Sequence, residues 1–276
     1  MEVESEDVCL DDTTFTVLDV ETTGLTPQFG DRVCEVALLR FRSDRELGRF
    51  HSLVNPQRPI SPGAFAVNGI RDQDLVDAPI FAEIAPRLLD LLEESTLVAH
   101  NAPFDLSFLA AEFQICDLRL TANPIIDTLA LARRCYRFPS NSLQTVARFL
   151  GVDTMGQHRA LADVVTTKMV LERFLADLRQ KGVVTLGELL AAQGGPIEFQ
   201  RREATPLPPQ IEEALGSGRR LQLRYVSAEG EETRRMVTPL RMTAHAGYLY
   251  LVAMCHLRQE ERTFRLDRIL DMWSGT

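Results

Sequence analysis

The chain reads as an α/β protein, a mixed sheet covered by helices, followed by a small all-β module. Three observations carry this reading. Strand-like runs crowd the first 55 residues, helical spacing around one buried strand dominates from 80 to 179, and period-two alternation returns after Arg219. In order, apolar and β-branched runs at 13–20, 33–41 and 48–54 predict three strands, followed by a loop carrying Pro56, Pro59 and Pro62. Ile84, Leu88 and Leu91 fall on one stripe of a helix over 80–93, and 96–99 is a short buried strand. Pro103 suits a first helical position, so it opens the next helix with Asn101 or Ala102 as its cap. Further helices fit 127–135, 142–150 and 160–179.

Glycines and prolines then punctuate the chain (Gly182, Gly187, Gly194, Gly195, Pro196, Pro206, Pro208, Pro209), with a short apolar segment at 186–192 between them. This predicts a linker over 182–204 with a short helix in it, separating a first domain, 1–181, from a second, 205–276. In the second domain Leu221, Leu223 and Tyr225 alternate with Arg220, Gln222 and Arg224. A turn near Gly230 leads to a strand at 233–238, and 247–254 and 262–266 supply two more, enough for a small barrel or sandwich.

Composition narrows the function classes. No apolar run approaches the roughly 20 residues that span a bilayer, and the acidic start MEVESEDVCLDD is unlike a secretory signal. Five cysteines without CxxC or ligand-like spacing read as reduced thiols in a cytoplasmic protein. Residues 1–200 hold 18 Lys and Arg against 29 Asp and Glu, whereas 201–276 hold 12 against 10. That balance disfavours broad duplex binding by the first 200 residues, yet leaves room for nucleic acid met through metal ions and a local basic strip.

The most informative segment is FTVLDVETTGL, 15–25. Strand alternation puts Phe15, Val17, Asp19 and Glu21 on one face and Leu18 and Val20 on the other. Two carboxylates in apolar surroundings repel each other and lose hydration, and no Lys or Arg lies within residues 1–31 to compensate. A bound metal ion meets that need. Asp105, in HNAPFDLSFL, shares a helix face with Phe108 and Leu109, where capping or the helix dipole would equally account for it. His158 and Asp163, in QHRALAD, would point about 140° apart on one ideal helix. Both reach one site only if His158 precedes the helix and Asp163 sits in its early turns.

In this order DVETTGL, HNAPFD and HRALAD resemble the three motifs of the DEDDh 3′→5′ exonucleases, a family that includes the epsilon proofreading subunit of bacterial DNA polymerase III. The resemblance runs through about 12–178 and takes in IIDTLALAR and NSLQTVARFLGV. It implies an RNase H-like fold and hydrolysis of phosphodiester bonds at the 3′ end of a single strand, DNA in preference to RNA. Asp19, Glu21, Asp105 and Asp163 would hold two Mg²⁺ or Mn²⁺ ions, for which oxygen-only ligands are suited. By the same resemblance Asp19, Glu21 and Asp163 serve the ion nearer the nucleophile, Asp19 and Asp105 the other, and His158 is the general base. Thr22, Thr23, Gly24, Leu25, Asn101 and Phe108 are the implied substrate contacts; Asn68 stands where many relatives carry a histidine. Trimming of RNA 3′ ends, or a regulator that binds nucleic acid without cleaving it, are the rival readings.

Residues 205–276 resemble a WYL domain through GYLYLVA (247–253) and TFRLDRI (263–269), although Leu249 replaces the name-giving Trp. The resemblance implies an SH3- or Sm-like barrel that binds nucleic acid or a nucleotide-like effector. Tyr225, Arg241, Tyr250, Arg262, Arg265 and Arg268 are its candidate contacts.

Overall fold

A computed structural model describes residues 8–27, 30–120, 122–154, 159–197, 207–227, 231–245 and 248–274. Two compact units are present, one of residues 1–24 and 32–200 and one of 25–31 and 201–276.

The first unit is organised on β1 (Thr14–Thr22), paired antiparallel with β2 (Val33–Arg42), which in turn pairs antiparallel with β3 (Arg45–Leu53). On its other side β1 runs parallel to β4 (Thr96–Ala99), and β4 parallel to β5 (Ile125–Asp127), giving the order β3-β2-β1-β4-β5. Alternation along β1 does what the sequence implies. Phe15 and Val17 join Leu39 and Phe41 in a core completed by α6 (Ala160–Gln180) through Val170, Leu171 and Phe174. Leu18 and Val20 join Val36 and Leu38 in a second core, built by α2 (Phe81–Leu92) and α3 (Ala102–Ile115). The central strands are therefore covered on both faces, which is why β2 is an almost unbroken apolar run.

The loop predicted around three prolines contains α1 (Pro62–Asn68) and a 3₁₀ turn (Asp72–Leu75). The signal was Ser61-Pro62, since Ser61 caps the Ala64 N–H and Pro62 takes a first-turn position. Two helices, α4 (Thr128–Cys135) and α5 (Leu143–Phe149), add Leu131, Ala132, Val146 and Ala147 to the first core.

The short helix expected within 182–204 is α7 (Leu186–Gln193); it starts from a capping box of Thr185 and Glu188 and, unlike a free linker segment, buries Leu186, Leu189 and Leu190 in the first core. Gln193 accepts the Asp127 N–H at 2.9 Å and donates to the Ile125 carbonyl at 2.8 Å, so α7 laces the edge of β5. Gly194 and Gly195, which resembled linker residues, follow the helix with positive φ, and Gly194 is its left-handed C-cap.

In the second unit α8 (Pro209–Ser217) lays Ile211 and Ala214 into a core shared with Leu221, Leu223, Val237, Leu251 and Phe264. The core backs an antiparallel sheet of β6 (Leu221–Val226), β7 (Glu232–His245), β8 (Tyr248–Cys255), β9 (Glu260–Arg265) and β10 (Ile269–Ser274), ordered β10-β6-β7-β8-β9. The sequence reading missed α8, hidden among prolines, and β10. Gly230 and Gly247, used there as strand boundaries, lie outside the described residues. No described helix is long and apolar enough to cross a membrane, and all five cysteines are free.

Candidate active site

β4 ends at Ala99, so beyond Val17 one edge of β1 has no strand partner. Asp105, in the first turn of α3, fills the gap: its Oδ1 accepts the Val20 N–H at 3.0 Å. The helix enters through Asn101, which adopts φ 80°, a left-handed conformation that Asn tolerates better than most residues. Its N–H donates to Asp127 Oδ1 at 2.8 Å, and the same oxygen caps α4 through the Leu129 N–H. Its side chain makes no capping bond and is exposed. His100, one residue earlier, bridges Thr128 Oγ1 and the Asn141 carbonyl, each at 2.9 Å.

Asp19 and Glu21 continue the stripe of Phe15 and Val17, and the start of α6 brings Asp163 over them. Asp163 lies on the buried side of α6 with Thr167, Val170 and Phe174. Carboxylate oxygens of Asp19, Glu21 and Asp163 come within 4.8 Å of one another. Asp105 stands beside this trio. After burial itself, it is the strongest influence pushing the Asp19 pKa well above the ordinary carboxylate range. Burial also lifts Glu21 to about 7, with Glu35 and Asp163 adding repulsion, and lifts Asp105 to about 8. Without a cation these carboxyls resist ionisation; a divalent ion answers the strain directly. The donor set, carboxylate oxygens alone, fits Mg²⁺ or Mn²⁺.

The predicted substrate contacts divide. Leu25, 67% exposed, and Asn101 keep side chains available. Phe108 is 0% exposed in the second core, so it has no surface to offer. Phe104, one turn earlier and packed on Phe108 at 5.1 Å between ring centroids, is only partly buried, and the sequence reading passed over it. Thr22 and Thr23 are buried as well. Thr22 Oγ1 donates to the Gly24 carbonyl, and Thr23 meets Arg32 through both its N–H and its hydroxyl. Asn68 is buried and committed too: Nδ2 donates to the Thr22 carbonyl at 3.3 Å and Oδ1 accepts the Ile70 N–H at 3.0 Å. These three shape the end of β1 from within. His158 lies outside the described residues.

Two glutamates that the sequence reading did not single out are buried nearby, each paired with an arginine. Glu112 holds Arg32 through two bonds of 2.8 and 2.7 Å and also accepts the Val33 N–H. Glu35 holds Arg159.

With this geometry the RNase_T family, described as "Exonuclease", matches residues 16–171, more than half of the chain. The chain belongs to the exonuclease family. A relative of the exonuclease domain, a PolC-type DNA polymerase III of Bacillus cereus, is 38% identical over 68% of this chain and 13% of its own. A DNA polymerase III subunit epsilon-like protein of Rhodobacter capsulatus is 37% identical over 66% of this chain and 26% of its own. This chain thus spans a minor part of those curated relatives. In fold, E. coli Exonuclease I in complex with a dT13 oligonucleotide is similar with a TM-score of 0.57, at 20% identity, over 88% of this chain and 55% of that one. Residues 207–272 match the WYL domain family.

The six candidate contacts of the WYL module do not form one strip. Tyr250 is directly across from Arg265 and Thr243, and Arg241 pairs with Val252 on the same face. Tyr225 faces the core edge-on to Phe264 at 5.2 Å, Arg262 has the opposite parity to Arg265, and Arg268 is in a 3₁₀ turn. Arg241 is matched by Glu261 at 2.6 Å and Arg262 by Glu260 at 3.7 Å.

Proposed function

We propose that this protein is a divalent-metal-dependent 3′→5′ exonuclease acting on single-stranded nucleic acid, DNA in preference to RNA. The observation that carries the reading is the convergence of Asp19, Glu21 and Asp163 within 4.8 Å, with Asp105 beside them. Asp19, Glu21 and Asp163 would hold one Mg²⁺ or Mn²⁺ ion, and Asp19 with Asp105 a second. Bound ions would supply Lewis-acid stabilisation of the charge that develops at phosphorus and on the leaving 3′-oxygen. His158, two residues before α6, would take the proton of the attacking water, work suited to an imidazole. Leu25 and Asn101 would meet the terminal nucleotide, with Thr22, Thr23, Gly24 and Asn68 shaping the end of β1 that leads to Leu25. Single-stranded DNA bound to the similarly folded Exonuclease I supports the choice of substrate.

In the WYL module the reading narrows to Arg241, Tyr250 and Arg265, an aromatic between two arginines on one face, as a contact for a strand or a nucleotide-like effector. A cytoplasmic location agrees with five free cysteines. The deciding experiment is release of mononucleotides from 3′-labelled DNA and RNA oligomers, side by side, with Mg²⁺ or Mn²⁺. No release from either would overturn the reading, and preference for RNA would make the enzyme an RNA trimmer.

A further inference from the structure

We propose that Glu35 is a positioning residue of the metal site: together with Arg159 it fixes the start of α6 and so aims Asp163 at Asp19 and Glu21. This rests on the metal-site reading above.

Glu35 is fully buried on β2, directly across from Glu21 in the register of β1 and β2. Its two oxygens are occupied by protein. Oε1 meets His51 Nε2 at 2.7 Å and the Arg159 guanidinium at 2.9 Å, while Oε2 accepts Arg159 Nε at 3.0 Å and the Ala160 N–H at 3.2 Å. A carboxylate so engaged is not a metal ligand. It is instead a cap supplied from another element: the N-cap of α6 is Arg159, whose own side chain makes no capping bond. Asp163 follows within the same turn, and its N–H donates to the Arg159 carbonyl at 3.1 Å. Whatever sets Arg159 and Ala160 therefore sets Asp163.

Outer groups that orient metal ligands typically change metal affinity by about 10–100-fold when lost.

The test is Mn²⁺ binding by titration calorimetry on the full chain, beside KM and kcat on a short 3′-labelled oligomer. Glu35→Gln keeps the shape and removes the charge; Arg159→Met keeps the stem of a half-exposed side chain and carries the test should the first variant fold poorly. Each is expected to weaken Mn²⁺ binding by about 10–100-fold with KM unchanged. The double variant should be no weaker than the weaker single, because the two act through one contact. Glu112→Gln, in a comparable buried pair with Arg32 away from α6, should leave Mn²⁺ binding within about twofold. Wild-type Mn²⁺ affinity in both variants, with only a lowered Tm, would overturn the proposal, as would a KM rise in Arg159→Met alone, which would place Arg159 on the substrate. If the wild type binds Mn²⁺ but releases no nucleotide, the exonuclease reading falls while the binding comparison still decides the role of Glu35. A wild type that binds no Mn²⁺ overturns both.

Discussion

Glu21 and Glu35 face each other across β1 and β2, and the two carboxylates meet opposite conditions. Burial pushes both upward, but Arg159, His51 and the Ala160 N–H outweigh it at Glu35 and hold its pKa below the ordinary range. At Glu21 burial, Glu35 and Asp163 outweigh the hydrogen bond from Asn68 and the charge of Arg159, and its pKa rises to about 7. Adjacent positions in one sheet thus hold an acid whose charge the protein completes and an acid whose charge it leaves for something else. The difference separates a structural carboxylate from a ligand more sharply than burial does, since Glu35 is the more buried of the two.

The most severe way to break the contrast is to remove a member of the unsatisfied set. Asp19→Ala and Asp163→Ala are expected to lower cleavage by more than about 10³-fold even at saturating Mn²⁺, while the metal-free Tm stays level or rises. Near-normal turnover in either variant would break the metal assignment. His158→Ala should lower turnover by roughly 10²–10⁴-fold and flatten the limb of the pH profile along which activity climbs with pH.

Second in size is the effect of where the chain is cut. Ending it after residue 182 removes Leu186, Leu189 and Leu190 from the core, where each truncated leucine costs on the order of 2–5 kcal/mol, and frees Gln193 from β5. Residues 1–182 should therefore aggregate or unfold, and residues 1–197 should stay folded and active on short oligomers. Equal circular dichroism melts for the two would return α7 to the role of a linker.

Titration separates the two kinds of acid by sign. Carboxyls raised in the folded state, Glu21 and Asp105, stabilise the metal-free protein fully below about pH 4, and that contribution is lost as pH rises through about 7 and 8. Glu35, lowered in the folded state, contributes stability above its unfolded value and loses it as pH falls. The metal-free Tm should accordingly drop by several degrees between pH 5 and pH 8.5, and Asp105→Asn should flatten that slope. About 1 kcal/mol corresponds to roughly 2–4 °C in a domain of this size. Melts in chelator across this range check it.

The smallest effect is expected where charges are satisfied at the surface. Breaking the exposed pair of Arg241 with Glu261 by Glu261→Ala should cost less than about 1 kcal/mol of stability. It would also free a cation beside Tyr250 and Arg265, and should tighten single-strand binding at low salt by a few-fold. Unchanged binding in a salt series would direct attention to an uncharged effector.

Much of this protein was legible in its sequence. The period of two along 15–21 assigned Asp19 and Glu21 to one face because a strand has no other way to arrange alternate side chains. The spacing in QHRALAD placed Asp163 in an early helical turn, as α6 bears out. Tertiary structure decided the rest, and each case turned on a partner distant in the chain. Leu186, Leu189 and Leu190 resembled part of a linker until a core with members from Leu10 to Leu178 received them. Phe108 and Leu25 were equal candidates for the substrate until packing buried one and exposed the other. Glu35 was one acid in an apolar run, and only the fold brought Arg159, 124 residues away, to its carboxylate. Local sequence sets which way a side chain points, because backbone geometry repeats over a few residues. Whether a buried charge is satisfied depends on where remote segments come to rest, and no local pattern encodes that.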